Sequence, residues 1–157
     1  MAGQVYLTRD GYQKLVDQLE FLKTTERQRI AKAIGEARAQ GDISENAEYD
    51  AAKDAQAHNE ARISEMESTL VEVAFIEDMK IPADKVFIGA KVKLTDLDTK
   101  QAVSYMLVSP EEAEFGKDRL SVFSPIGQGL LKHKVGDEVT INVPAGVKRF
   151  KVLDIKR

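Results

Sequence analysis

The sequence predicts an α+β protein: an N-terminal antiparallel α-helical coiled-coil hairpin followed by a small, mainly antiparallel β domain with one short helix. Three observations predict it. Apolar residues recur every three or four positions as far as Val73, an acidic turn marked by Gly41 divides that stretch in two, and beyond Pro82 the spacing falls to two. The expected boundaries are 1–77 for the hairpin, with its tip at 41–50, then 78–84 for a linker and 85–157 for the second domain.

The first helix begins within YLTRDGYQKL, where Thr8 is placed to cap it and Leu7 and Tyr12 stand at the two positions of a hydrophobic staple. Leu15, Leu19, Leu22, Ile30, Ala33 and Ala37 then form a helical stripe, with Glu26 filling the one gap in the alternation of threes and fours. After the turn, Ala52, Gln56, Asn59, Ile63, Met66, Leu70 and Val73 repeat as an unbroken heptad seam. Folded back on each other, the two stripes pair Leu22 with Ile63, Leu19 with Met66 and Leu15 with Leu70. Each arm of about 30 residues would extend about 45 Å. The large apolar residues lie far from the turn, where the seam thins to Ala33, Ala37, Ala52 and Ala55, so the tip is expected to be slender.

From EDMKIPADKV onward Pro82 ends helical continuity, and AKVKLTDL, AVSYMLV and EVTINV alternate as half-buried strands do. SPIGQGLLKHKVGDE reads as one short helix, capped by Ser124 with Pro125 at its first position, ending before a turn at Gly136 and Asp137. VPAGVKRFKVLDI supplies a turn and the last strand.

Composition narrows the chemistry. There is no cysteine, which removes disulfides, thiolate zinc sites and cysteine nucleophiles, and His58 and His133 are too few for a histidine cage. Any metal must be held by oxygen. A net charge of −3 over 157 residues argues against a main affinity for phosphate backbones. No apolar run approaches the roughly 18 residues a membrane span needs, and MAGQVYLTRD lacks a signal-peptide layout, so a cytoplasmic location is expected.

The tip, GDISENAEYD, places Asp42, Glu45, Glu48 and Asp50 in one turn with no lysine or arginine among them. A capping box explains part of this, with Asp42 as N-cap and Glu45 three residues later. Crowding four carboxylates goes beyond a cap, since two of them about 6 Å apart repel by about 0.7 kcal/mol in water and about 3 kcal/mol at an effective dielectric near 20. Residues three apart at a helix start share one side, so Asp42 and Glu45 can aim oxygens at one hard cation. Two carboxylates make a poor solitary Mg²⁺ site, because that ion wants octahedral oxygen geometry and is usually shared with substrate phosphates. The tip therefore looks like half of a site whose other half belongs to a partner.

GDISENAEYDAAK is similar to the hairpin tip of the bacterial Gre transcript cleavage factors, a family of transcription elongation factors with a tip pattern close to G-D-[LI]-x-E-N-A-E-Y. The resemblance extends over nearly the whole chain, through the LTxxGxxKLxxxLxxL opening, EARI in the second helix, and SPIGQGLLKHKVGDEVTINVPAG in the second domain. Slight acidity favours the GreA type over the more basic GreB type.

The resemblance implies an FKBP-like second domain and a monomeric accessory factor. It would enter the secondary channel of bacterial RNA polymerase and stimulate the polymerase's own cleavage of backtracked RNA near the nascent 3′ end. It would not be an enzyme by itself, and it would have no membrane role. Asp42 and Glu45 match the acidic pair that helps hold a second Mg²⁺ at the polymerase active centre; no cofactor is expected to bind the isolated chain stably. Arg38, Asn46 and Tyr49 match supporting tip positions, for which a helix salt bridge and simple packing are the plain alternatives. Lys53 stands where many members carry arginine, keeping the charge but not bidentate phosphate recognition. Ser124, Pro125 and Ile126 match the segment that docks on the channel rim, although Phe123 precedes them where some members have an acid. Lys23, Arg27, Arg29 and Lys32 are either an RNA-following stretch or a solvated face. With no tryptophan and few aromatics in the second half, prolyl isomerase activity is not expected. The competing readings are a channel-binding regulator that inhibits without stimulating cleavage, and a structural adaptor whose acidic turn only caps a helix.

Overall fold

The computed structural model describes residues 4–157. These pack as two compact units: Gln13–Glu72, and Val73–Arg157 joined by the described residues up to Tyr12.

The first unit is the expected antiparallel helical hairpin. Its first arm is α1 (Arg9–Phe21), a π turn (Leu22–Glu26) and α2 (Arg27–Ala39); its second is the single long helix α3 (Ala47–Val71). Thr8 caps α1 as the sequence predicts, its hydroxyl oxygen accepting the Gly11 N–H at 3.0 Å. Ile63, Met66 and Ala52 are buried at seam positions of α3, and Leu15, Ile30 and Ala37 on the first arm. The arms are tied across the seam by Arg27 to Glu60 at 2.8 Å and Lys23 to Glu67 at 3.8 Å.

Two details differ from the expected stripe. Ile34, rather than Ala33, is buried on α2, and with Ile30 and Ala52 it forms a small apolar cluster against which Ala33, Tyr49 and Ala55 pack. The seam near the tip is therefore not alanine alone. Positions 33 and 34 both suit a stripe through Ile30 and Ala37, and the larger side chain takes the buried place, while a π turn absorbs the extra residue at the Glu26 gap. At the other end Val73 is not a seam residue. Glu72 leaves helical geometry, with φ −124 and ψ 77, and Val73 opens a strand.

In the second unit, β1 (Val5–Leu7) pairs in parallel with β2 (Val73–Phe75), Val5 opposite Val73, and a 3₁₀ turn (Ile76–Asp78) follows. The main sheet contains β3 (Lys91–Asp96), β4 (Ala102–Val108), β5 (Arg119–Ser121), β6 (Glu138–Val143) and β7 (Gly146–Lys156) in the order β5-β4-β3-β7-β6. All neighbours are antiparallel except β4 and β5, and a bulge shifts the β3–β7 register between Lys93 and Leu94. The period of two is real. Val92, Leu94, Leu107, Val139, Ile141, Phe150 and Val152 face one core with Leu130, while Lys91, Lys93 and Lys151 face out.

Among the described residues that unit has two short α-helices, not one: α4 (Pro110–Ala113) precedes α5 (Pro125–Leu130). From α4, Glu112 is fully buried, and its carboxylate accepts from Thr8 N–H at 2.9 Å, Thr8 Oγ1–H at 2.8 Å and Arg119 Nη1–H at 2.5 Å. Arg119 continues the chain of charges to Asp10 at 2.8 Å. Gly11 is where a side chain is forbidden, because a Cβ there would overlap the Glu112 carboxylate. Among the described residues no helix is long and apolar enough to cross a membrane.

Glu112→Ala removes the acceptor of the Thr8 N–H and leaves the half-buried Arg119 guanidinium with Asp10 alone, and is expected to cost on the order of 2 kcal/mol in urea unfolding. Gly11→Ala should destabilise the same unit, because it drives Glu112 from its three donors.

Candidate functional site

The site is built where α2 gives way to α3. Gln40 closes α2, and Gly41 follows with φ +124, a backbone conformation that residues with a Cβ rarely adopt. The chain then makes a short 3₁₀ turn (Ile43–Glu45) before α3 begins.

The residue that starts α3 is Asn46. Its Oδ1 accepts the Tyr49 N–H at 3.1 Å, and its Nδ2 donates to Ala37 O on the opposite arm at 2.6 Å. The capping box expected from Asp42 and Glu45 does not form. A carboxylate can only accept, whereas the asparagine amide satisfies a helix N-terminus and the carbonyl of the other arm together. Asp42 instead closes an Asx turn, its Oδ1 accepting the Ser44 N–H at 3.0 Å and the Ser44 hydroxyl at 2.8 Å. Ser44 was not singled out in the sequence, although the Asp-x-Ser spacing carries that signal.

This arrangement sorts the four carboxylates. Glu48 and Asp50 lie in the first turn of α3, where the helix dipole favours them. Asp42 and Glu45 remain outside both helices, exposed, and line one shallow concavity with Gln40, Asn46, Ala47 and Glu48. The backbone and hydroxyl hydrogen bonds from Ser44 hold the Asp42 carboxyl below its ordinary value. Among the described residues no three His, Asp or Glu side chains converge closely enough to hold a metal ion. The donors of the concavity are hard oxygens, suited to Mg²⁺ only as part of a larger ligand set.

The supporting positions fall into place around the pair. The Arg38 guanidinium lies 5.8 Å from the centre of the Tyr49 ring, and Tyr49 is half-buried against the Ile30, Ile34 and Ala52 cluster. Lys53 is exposed one turn further along α3 and donates to Gln56 at 3.0 Å, so its ammonium is engaged by its own helix. On the first arm each base of the basic stretch has an acidic partner: Lys23 with Glu67, Arg27 with Glu60, Arg29 with Glu26 and Lys32 with Glu36. The stretch is electrostatically closed. Arginine pairing holds the carboxyls of Glu26 and Glu60 below their ordinary range.

In the second unit Ser124 caps α5, accepting the Gly127 N–H at 3.0 Å while its hydroxyl donates to Ser121 O at 2.7 Å. Pro125 occupies the first helical position and is exposed, and Ile126 packs partly on the core. Phe123 is 69% exposed, so the face offered here is apolar and the serine is spent on local structure.

Two family profiles account for most of the chain. The one described as "Transcription elongation factor, N-terminal" matches residues 5–74, and "Transcription elongation factor, GreA/GreB, C-term" matches residues 81–157. The chain belongs to the GreA/GreB family. It is of the GreA type: the transcription elongation factor GreA of Chloroherpeton thalassium is 48% identical over 156 residues, covering 99% of each chain. GreA of Rhizobium etli is 44% identical over 155 residues, covering 99% of this chain and 98% of the relative. Among solved structures, the GreA factor homolog 1 (Gfh1) protein of Thermus thermophilus is 31% identical, with 99% of this chain and 100% of that one covered and a TM-score of 0.43.

Two outcomes test the geometry of this GreA-type tip. Asn46→Ala should destabilise the hairpin by about 1 kcal/mol in thermal unfolding, through loss of the cap. In a carboxyl NMR titration Asp42 should titrate below the ordinary value of about 3.9, and Ser44→Ala should move it back up. Because the folded value is depressed, the turn is stabilised above the ordinary carboxylate pKa and loses that stabilisation as pH falls through the folded value.

Proposed function

We propose that this protein inserts its hairpin into the secondary channel of a backtracked RNA polymerase and completes the polymerase's RNA cleavage site with Asp42 and Glu45. One observation carries the reading. Along the shaft the carboxylates of Glu26, Glu36, Glu60 and Glu67 are each matched by a cation of the same hairpin, whereas at the tip neither Asp42 nor Glu45 is paired with lysine or arginine among the described residues. A hairpin that neutralises its sides and leaves its end anionic is suited to delivering charge to a cation elsewhere. Membership of a transcription elongation factor family supports reading that elsewhere as RNA polymerase.

In this reading Asp42 and Glu45 each give oxygen ligands to a weakly held second Mg²⁺ of the polymerase. A two-metal centre completed in this way would supply activation of water and stabilisation of the leaving oxygen in phosphodiester hydrolysis. Asn46 and Gly41 shape the turn, and Ser44 keeps Asp42 ionised and oriented. Arg38 and Tyr49 brace the base of the tip. The polymerase supplies the catalytic centre and the nascent RNA, so the factor acts as an accessory to another enzyme, as a monomer in the cytoplasm. Phe123 and Pro125 offer the second unit's exposed apolar contact for the channel rim, with Ser124 and Ile126 holding that segment in shape.

The test is a stalled, backtracked elongation complex with Mg²⁺. Asp42→Asn and Glu45→Gln should each lower stimulated cleavage by at least about tenfold while leaving polymerase binding intact. Full activity in both variants overturns the mechanism, and inhibition without any cleavage product by the unaltered protein assigns it to the inhibitory class.

A further inference from the structure

Between two seam positions the first arm carries one residue more than a continuous α-helix needs. Leu22 and Ile30 are eight apart, which in an unbroken α-helix leaves them about 80° out of phase. The π turn at Leu22–Glu26 absorbs one residue, and the remaining seven bring both to the same side within about 20°. Such a turn departs from the regular ladder. On α3, Asn59 is 7% exposed in the apolar seam, and its Nδ2 donates to Leu22 O at 3.1 Å.

A buried amide is costly unless bonded, and a single polar residue in a coiled-coil seam is the usual means of fixing register. Here it has a companion. Asn46 Nδ2 donates to Ala37 O, near the far end of α2, as Asn59 Nδ2 donates to Leu22 O, at the start of the π turn that precedes α2. The segment that leads to the tip is thus held at both ends by asparagine amides from the opposite arm.

We propose that Asn59 is a positioning residue: by bonding Leu22 O it holds the one-residue π insertion, and so sets the rotational phase in which α2 delivers Asp42 and Glu45. Loss of the insertion turns everything beyond it by about 100° relative to α1. The functional half of this inference rests on the role given above to the tip carboxylates; the structural half does not.

The chain has no cysteine, so a single engineered pair reports the phase cleanly. Ala33 and Ala55 pack on the same cluster from opposite arms. In the Ala33→Cys, Ala55→Cys background, Asn59→Leu should slow disulfide formation by about tenfold or more, and without the cysteines it should lower stimulated RNA cleavage by a similar factor at unchanged polymerase affinity. Deleting the exposed Thr25 removes the extra residue, lets the arm run as a plain α-helix in phase, and should restore both in the Asn59→Leu protein. An unchanged crosslinking rate in Asn59→Leu overturns the proposal, and so does a Thr25 deletion that restores neither readout. The deletion also keeps the test decisive if Asn59→Leu alone folds poorly. Crosslinking needs no polymerase, so a failure of the tip's role in cleavage, seen with Asp42→Asn, is distinguished from a failure here.

Discussion

The hairpin closes through one side-chain amide. A helix that ends at Ala39 and another that begins at Ala47 leave carbonyls and N–H groups without intrahelical partners on both sides of the turn. Asn46 satisfies one of each, the Tyr49 N–H and the Ala37 carbonyl. Because that task falls to an amide, the turn does not need its carboxylates as caps. Asp42 is taken up by Ser44 in a local Asx turn and Glu45 is left to solvent, so the negative charge at the end of the hairpin stays available. The chemistry of the tip follows from which residue closes it.

The same economy recurs at two other places where this chain buries a polar group. Asn59 sits in the seam with its donor matched to a carbonyl of the irregular turn, and Glu112 sits in the second unit with three donors converging on it. Apolar contacts hold the arms together without regard to rotation or slip. The buried amide and carboxylate admit only one arrangement, because any other leaves them unbonded. Elsewhere on the shaft charge is handled in exposed pairs such as Lys32 with Glu36, which add little stability but keep the sides of the hairpin neutral.

What the sequence made legible follows from what periodicity records. The seam of α3 was readable from Ala52 to Leu70 because an unbroken helix repeats faithfully, and Thr8 and Ser124 were readable as caps because their roles are local. The irregular turn left only a trace, the eight-residue interval across Glu26, and the sequence could not say that Ile34 rather than Ala33 comes inward after it. The three-residue strands β1 and β2 are too short to show alternation, and Val73 kept the heptad spacing while belonging to a strand. At the tip the acidic pair was plain, but Asp42 and Asn46 are both good cap residues. Only the carbonyl of Ala37, brought close by the fold-back, decides between them. Glu112 left a weaker sign still, a Ser-Pro-Glu-Glu helix start whose last carboxylate turns inward to a residue 104 positions earlier.

That long-range contact has a bearing on how the chain is made. The second unit is discontinuous, drawing on residues up to Tyr12 on one side of the hairpin and from Val73 onward on the other. At a synthesis rate of roughly 5–20 residues per second, Thr8 leaves the ribosome about five to twenty seconds before the glutamate that will bond it. The hairpin has every residue it needs long before then. Thr8 thus waits on a partner made after the whole hairpin, and the buried carboxylate closes its unit only once the later strands have been made.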